Sequence, residues 1–152
     1  MKDLDWSNLS FGYRQTDYNV RCYYRDGKWG EIEVCSDEYL KLHMAATCLH
    51  YGQEAFEGLK AYRCPDGKVR VFRMDENAAR LQSTCRGILM PEVPTEMFEE
   101  MVKKVVRLNQ EWIPTYESGA TLYIRPLLIG TSAQVGVHPS KAVSYTHLRA
   151  HE

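Results

Sequence analysis

Two Asp-Gly dipeptides, Asp26-Gly27 and Asp66-Gly67, each stand between runs of strand-forming residues, and they limit what this chain can fold into more than any other feature. Asp-Gly accepts the left-handed backbone that a tight hairpin requires, so each pair predicts an antiparallel return. The first hairpin is expected over Val20–Arg25 and Lys28–Val34. The second is expected over Gly58–Arg63 and Lys68–Arg73, joined by Cys64-Pro65-Asp66-Gly67. Pro at the second turn position and Gly at the fourth suit a type I turn.

Helical spacing follows. Asp75 is placed to cap a helix with Ala78, Leu81, Cys85 and Ile88 as its apolar positions and Pro91 as its end. Thr95 is placed to cap a second, with Met97, Met101, Val105, Leu108 and Trp112 as its stripe and Pro114 as its stop. Ala120–Ile129 then reads as a strand, with Thr121, Tyr123 and Arg125 on one face and Leu122 and Ile124 on the other. Hairpins, two helices and a further strand predict an α+β fold with a largely antiparallel sheet. The 152 residues hold no repeat or linker, so one domain is expected.

Composition removes several classes of function. Lys plus Arg total 19 against 20 for Asp plus Glu, which gives no charge asymmetry to attract nucleic acid or an anionic membrane. No apolar run approaches the roughly 20 residues of a membrane helix, and the start lacks the apolar core of a signal peptide. A cytosolic protein with no membrane partner is expected. The five cysteines are odd in number and form no CxxC pair, so reduced, packed thiols are expected. The five histidines fall into no HExxH pattern, and no metal is expected.

Few residues stand out for chemistry. Tyr123 and Arg125 share a strand face about 7 Å apart. Arginine offers a planar fork to a carboxylate and tyrosine a hydroxyl donor, although a solvated sheet face accounts for the pair as well. Tyr51 and Phe56 flank Gly52-Gln53-Glu54-Ala55, where core packing and a pocket wall are both open. Arg80 sits about a turn into its helix, a common place for a surface arginine. The loop from Gly130 to Gly136 has no following Lys-Ser or Lys-Thr and is not a P-loop. No Ser-His-Asp set or carboxylate pair appears. Spacing alone leaves the function open.

The motifs themselves go further. Residues 49–62, LHYGQEAFEGLKAY, resemble the LHY…FEG(L/M)KA(Y/F) stretch of branched-chain amino-acid aminotransferases. Residues 122–130, LYIRPLLIG, resemble the LY(I/V)RP strand of the same family. Phe11-Gly12, Thr16-Asp17, and Arg70-Val71-Phe72-Arg73 followed by Arg80 are also similar to its pattern, and the likeness runs from about Leu4 to Ala142.

That resemblance implies the smaller N-terminal domain of a fold-type-IV pyridoxal-phosphate enzyme. It implies exchange of an amino group between leucine, isoleucine or valine and 2-oxoglutarate, with amino acids and 2-oxo acids as small-molecule partners. Arg80 resembles the arginine that holds the cofactor phosphate. Tyr123 resembles the tyrosine at the substrate α-carboxylate, and Arg125 the arginine that takes the distal carboxylate of glutamate. Phe11, Tyr51 and Phe56 resemble walls of the side-chain pocket. Val135 and Val137 match a loop that reaches the partner subunit's site, which implies a homodimer. The Schiff-base lysine of the family lies well downstream of Arg125, and Lys60 is not a position the family uses. No catalytic residue is therefore assigned here, and the chain alone is expected to be inactive. Other readings are a D-amino-acid aminotransferase, an aminodeoxychorismate lyase, or a non-catalytic binding or dimerisation module. The FEG motif and the Tyr123-x-Arg125 pair argue against the two enzymes.

The last ten residues, 143–152, are polar and unlike the apolar strand that the family carries there. They can be encoded by a codon run resembling a transposase sequencing adaptor. The expectation is therefore an aminotransferase segment over 1–142 and an adaptor-derived tail over 143–152 that is exposed and poorly packed.

Overall fold

The computed structural model describes residues 4–5 and 12–151, with residues 147–151 described by their backbone course alone. Among these, β1 (Asn19–Arg25) turns at Asp26-Gly27 into β2 (Lys28–Trp29) and β3 (Glu33–Cys35), both antiparallel to β1. Asp26 and Gly27 have φ of 51° and 80°, the left-handed pair of a type I′ turn. The expected single return strand is instead two pieces. Tyr24 pairs with Trp29 but Arg21 with Glu33, so the returning side carries one extra residue, a β-bulge. Gly30 lies at this break and donates its N–H to the Tyr23 carbonyl at 2.8 Å.

Helix α1 (Thr47–Tyr51) and strand β4 (Glu54–Phe56) come next, followed by the second hairpin, β5 (Leu59–Arg63) and β6 (Val69–Val71). The Cys64–Gly67 turn closes as expected, with Gly67 N–H donating to the Cys64 carbonyl at 2.8 Å. Helix α2 covers Met74–Gly87 and α3 covers Thr95–Leu108. Neither expected cap is used. Asp75 lies inside the first turn of α2, behind Arg73 in a left-handed conformation, and Pro94 precedes α3. The Thr95 hydroxyl accepts from Gln82 Nε2 at 3.2 Å instead. The α3 helix stops before Pro114 because Asn109 closes it. Its Nδ2 donates to the Val105 carbonyl at 2.9 Å and to the Tyr18 carbonyl at 3.0 Å. The buried stripe is rotated from the expected one, with Phe98, Val102 and Val106 joining Met101 and Val105.

Strands β7 (Leu122–Gly130) and β8 (Val143–His151) complete an antiparallel sheet ordered β2-β1-β8-β7-β5-β6, with β3 also on β1 and β4 also on β7. One sheet face supplies Val20, Cys22, Ala61, Leu122, Ile124, Leu128, Val143 and Tyr145 to the same core as α2 and α3. Period-2 alternation sends Tyr123 and Arg125 to the opposite face, beside Lys60, the register partner of Tyr123.

Strand β8 corrects the expectation of an exposed tail. It lies between β1 and β7, and Val143, Ser144, Tyr145 and Thr146 are buried. Tyr145 packs its ring 6.4 Å from Phe98 and 6.3 Å from Trp29. Reasoning from composition missed two points. Backbone pairing does not depend on side-chain polarity, and alternation delivers Val143 and Tyr145 to the core while small hydroxyls take the other face. No helix among the described residues is long and apolar enough to cross a membrane.

Candidate functional site

Three residues singled out in the sequence meet on the face of β7 turned away from the helices. Arg125 Nε donates to the Tyr123 hydroxyl at 3.1 Å. The Arg125 guanidinium lies 4.2 Å from the Phe56 ring centroid and 5.2 Å from that of Tyr123. Phe56 reaches this position because β4 pairs with β7 in the register Phe56–Leu127, and its side chain remains 61% exposed. Gly58 makes room for Tyr123, since a Cβ there would stand 2.4 Å from the Tyr123 hydroxyl. The result is a cation flanked by aromatic rings. The rings stabilise the guanidinium through their faces while its N–H edges stay suited to a carboxylate.

Arg80 lies on α2 and is tied to the same strands through Glu57, which follows Phe56. Glu57 accepts from Arg80 Nε at 2.8 Å and Nη2 at 2.5 Å, and from Asn77 Nδ2 at 2.9 Å. The hydrogen bond and the charge of Glu57 hold Arg80 even more firmly protonated than usual. The bidentate grip uses one edge of the fork and leaves the Nη1–Nη2 edge clear of Glu57, on a side chain that is 68% exposed. An open guanidinium edge and a Tyr–Arg pair fit a ligand set that carries a phosphate and carboxylates. Sequence reasoning named Arg80 but missed Glu57 and Asn77. The available signal was their place in matched segments, Glu57 in residues 49–62 and Asn77 between Arg73 and Arg80.

Tyr51, Val135 and Val137 gather at a second place. The Tyr51 hydroxyl donates to the Val135 carbonyl. Tyr51, Ile88, Leu89, Val137 and His138 line a groove of about 340 Å³. The loop is returned to the body by Gln134 N–H, donating to the Ala45 carbonyl at 3.0 Å, and by Gln53, whose Oε1 accepts from Ser140 N–H at 3.2 Å. Val135 and Val137 are exposed. Phe11 lies outside the described residues. No group of His, Cys, Asp and Glu among the described residues could hold a metal ion.

No family model matches the chain. It is 53% identical over 137 residues to a branched-chain-amino-acid aminotransferase of Haemophilus influenzae, covering 90% of this chain and 40% of that protein. It is 45% identical over 140 residues to the one of Helicobacter pylori, covering 92% and 41%. In fold it is similar to the branched-chain aminotransferase of Thermoproteus uzoniensis solved with norvaline, at a TM-score of 0.64, 23% identity, and coverage of 86% of this chain and 40% of that one. It is likewise similar to the Escherichia coli branched-chain amino acid aminotransferase, at a TM-score of 0.60, 24% identity, and coverage of 88% and 39%. A third solved branched-chain amino acid aminotransferase, complexed with N-(5'-phosphopyridoxyl)-L-glutamate, matches at a TM-score of 0.64 and 24% identity, with coverage of 89% and 41%. The chain thus spans about 40% of the length of these relatives. The antiparallel sheet backed by two helices is the N-terminal α+β fold of these enzymes. In sequence and in fold, the chain is thus similar to branched-chain aminotransferases over about 40% of their length.

Proposed function

We propose that the full-length protein containing this chain is a pyridoxal-phosphate-dependent branched-chain aminotransferase. It exchanges amino groups between leucine, isoleucine or valine and 2-oxoglutarate, in the cytosol and as a homodimer. The observation that carries this reading is the Tyr123–Arg125–Phe56 arrangement. A pocket wall that presents both an aromatic face and a carboxylate-binding fork can serve an apolar side chain and the glutamate side chain in turn. Pyridoxal phosphate, when bound, supplies the electron sink for moving the amino group.

In this reading Arg80 grips the cofactor phosphate through its open edge, since bidentate Arg–phosphate pairs combine charge with geometry. Tyr123 donates to the substrate α-carboxylate, and Arg125 takes the distal carboxylate. Phe11 and Phe56 wall the side-chain pocket, and Tyr51, which donates to the Val135 carbonyl, walls it from the loop side. Val135 and Val137 extend toward the partner subunit's site.

The cofactor role is tested in the full-length protein by Arg80→Ala. Charge-assisted hydrogen bonds contribute about 1.5–3 kcal/mol each, so pyridoxal-phosphate affinity should fall roughly tenfold or more. Equilibrium dialysis of the apoprotein against the cofactor measures it. An unchanged dissociation constant would return Arg80 to a surface arginine paired with Glu57.

A further inference from the structure

Among Glu57, Arg80 and Arg125, Glu57 is the least accessible, at 4% exposure. A carboxylate removed from water is tolerated only where donors converge on it. Three do: Arg80 Nε, Arg80 Nη2 and Asn77 Nδ2, at 2.8, 2.5 and 2.9 Å. The backbone N–H of Glu57 donates to the Pro126 carbonyl at 2.9 Å, within β7 and directly after Arg125. Asn77 Nδ2 also lies 3.3 Å from the Gly58 carbonyl, a second tie between α2 and the strands. One residue thus fastens the helix bearing Arg80 to the strand bearing Tyr123 and Arg125.

We propose that Glu57 is a positioning residue: it holds one edge of the Arg80 guanidinium so that the other edge is set for the cofactor phosphate. This rests on the assignment of Arg80 to the phosphate given above. An arginine that reaches into water by itself samples many rotamers, and each must be given up on binding. Glu57 removes that freedom in advance, which is preorganisation of the binding group. An opposing effect exists, because a carboxylate near the site repels the phosphate. The exposed edge of Arg80 is in water, where a charge one guanidinium further away is well screened, so orientation outweighs repulsion.

Glu57→Gln tests this with little change of shape. A glutamine amide offers one acceptor oxygen and sets an NH2 group against the converging donors, so the bidentate grip cannot persist. The apo form of the full-length protein is titrated with pyridoxal 5'-phosphate and with pyridoxal, which lacks the phosphate. Four proteins are compared: wild type, Glu57→Gln, Arg80→Ala and the double variant. Glu57→Gln should weaken pyridoxal 5'-phosphate about tenfold, the cost of ordering a free arginine side chain on binding, and leave pyridoxal within twofold. In the Arg80→Ala background it should have no further effect. Equal losses for both ligands, tighter phosphate binding, or full additivity would overturn the proposal. Should Glu57→Gln fail to fold, Glu57→Asp keeps the charge and loses the reach, and the same comparisons decide. If Arg80→Ala binds both ligands like wild type, the assignment of Arg80 fails, a result distinct from a failure of Glu57 alone.

Discussion

Deleting residues 143–152 should abolish the cooperative thermal unfolding of the chain. Strand β8 pairs with β7 from Leu122 to Gly130 and with β1 from Val20 to Tyr24, so its loss leaves two unpaired strand edges in the middle of the sheet. It also removes Val143 and Tyr145 from the core they share with Phe98 and Cys85. Truncating one large buried aromatic costs about 3–5 kcal/mol, a large part of the roughly 5–15 kcal/mol that holds a domain folded. Removing the whole strand exceeds that margin. Tyr145→Ala should therefore lower the melting temperature by about 10 °C or more, and the deletion should leave no transition to melt. Circular dichroism on heating measures both, and a deletion variant that melts like the parent would contradict the central place given to β8.

Replacing Arg125 by glutamine in the full-length protein should divide the substrates. Its guanidinium lies over the Phe56 and Tyr123 rings, and in the proposed function it is the group that takes the distal carboxylate. Losing a charge-assisted pair of about 1.5–3 kcal/mol per bond lowers kcat/KM for glutamate and 2-oxoglutarate on the order of a hundredfold. Leucine and its 2-oxo acid carry no such carboxylate and should change by only a few-fold. Steady-state kinetics with both substrate types give the comparison. Equal losses would mean that Arg125 serves to hold β7 and Phe56 in place.

What could be read in the sequence follows from how local each cause is. The Asp26-Gly27 and Asp66-Gly67 turns are decided by residues adjacent in the chain, and both form as expected. Period-2 alternation correctly puts Tyr123 and Arg125 on one face of β7, because a strand's two faces follow from residue parity alone. Strand β4 has three residues and α1 has five, too short to show a period; β4 is fixed by its pairing with β7. The caps at Asp75 and Thr95 failed because Arg73 and Pro94 already turn the chain into each helix. The burial of residues 143–146 was missed because one neighbour of β8, β1, comes from the other end of the sequence. The Arg80–Glu57 pair joins residues on a helix and a strand that only the tertiary fold brings together. Motif resemblance found Arg80; the carboxylate that holds it emerges only once α2 is packed against the strands.

Glutamate formation by the purified full-length protein, from leucine and 2-oxoglutarate with saturating pyridoxal 5'-phosphate, tests the proposed activity most directly. Glutamate should accumulate one-for-one with 4-methyl-2-oxopentanoate, and the same exchange should occur with isoleucine and valine. No glutamate from any of the three by a folded, cofactor-loaded protein would contradict the assignment.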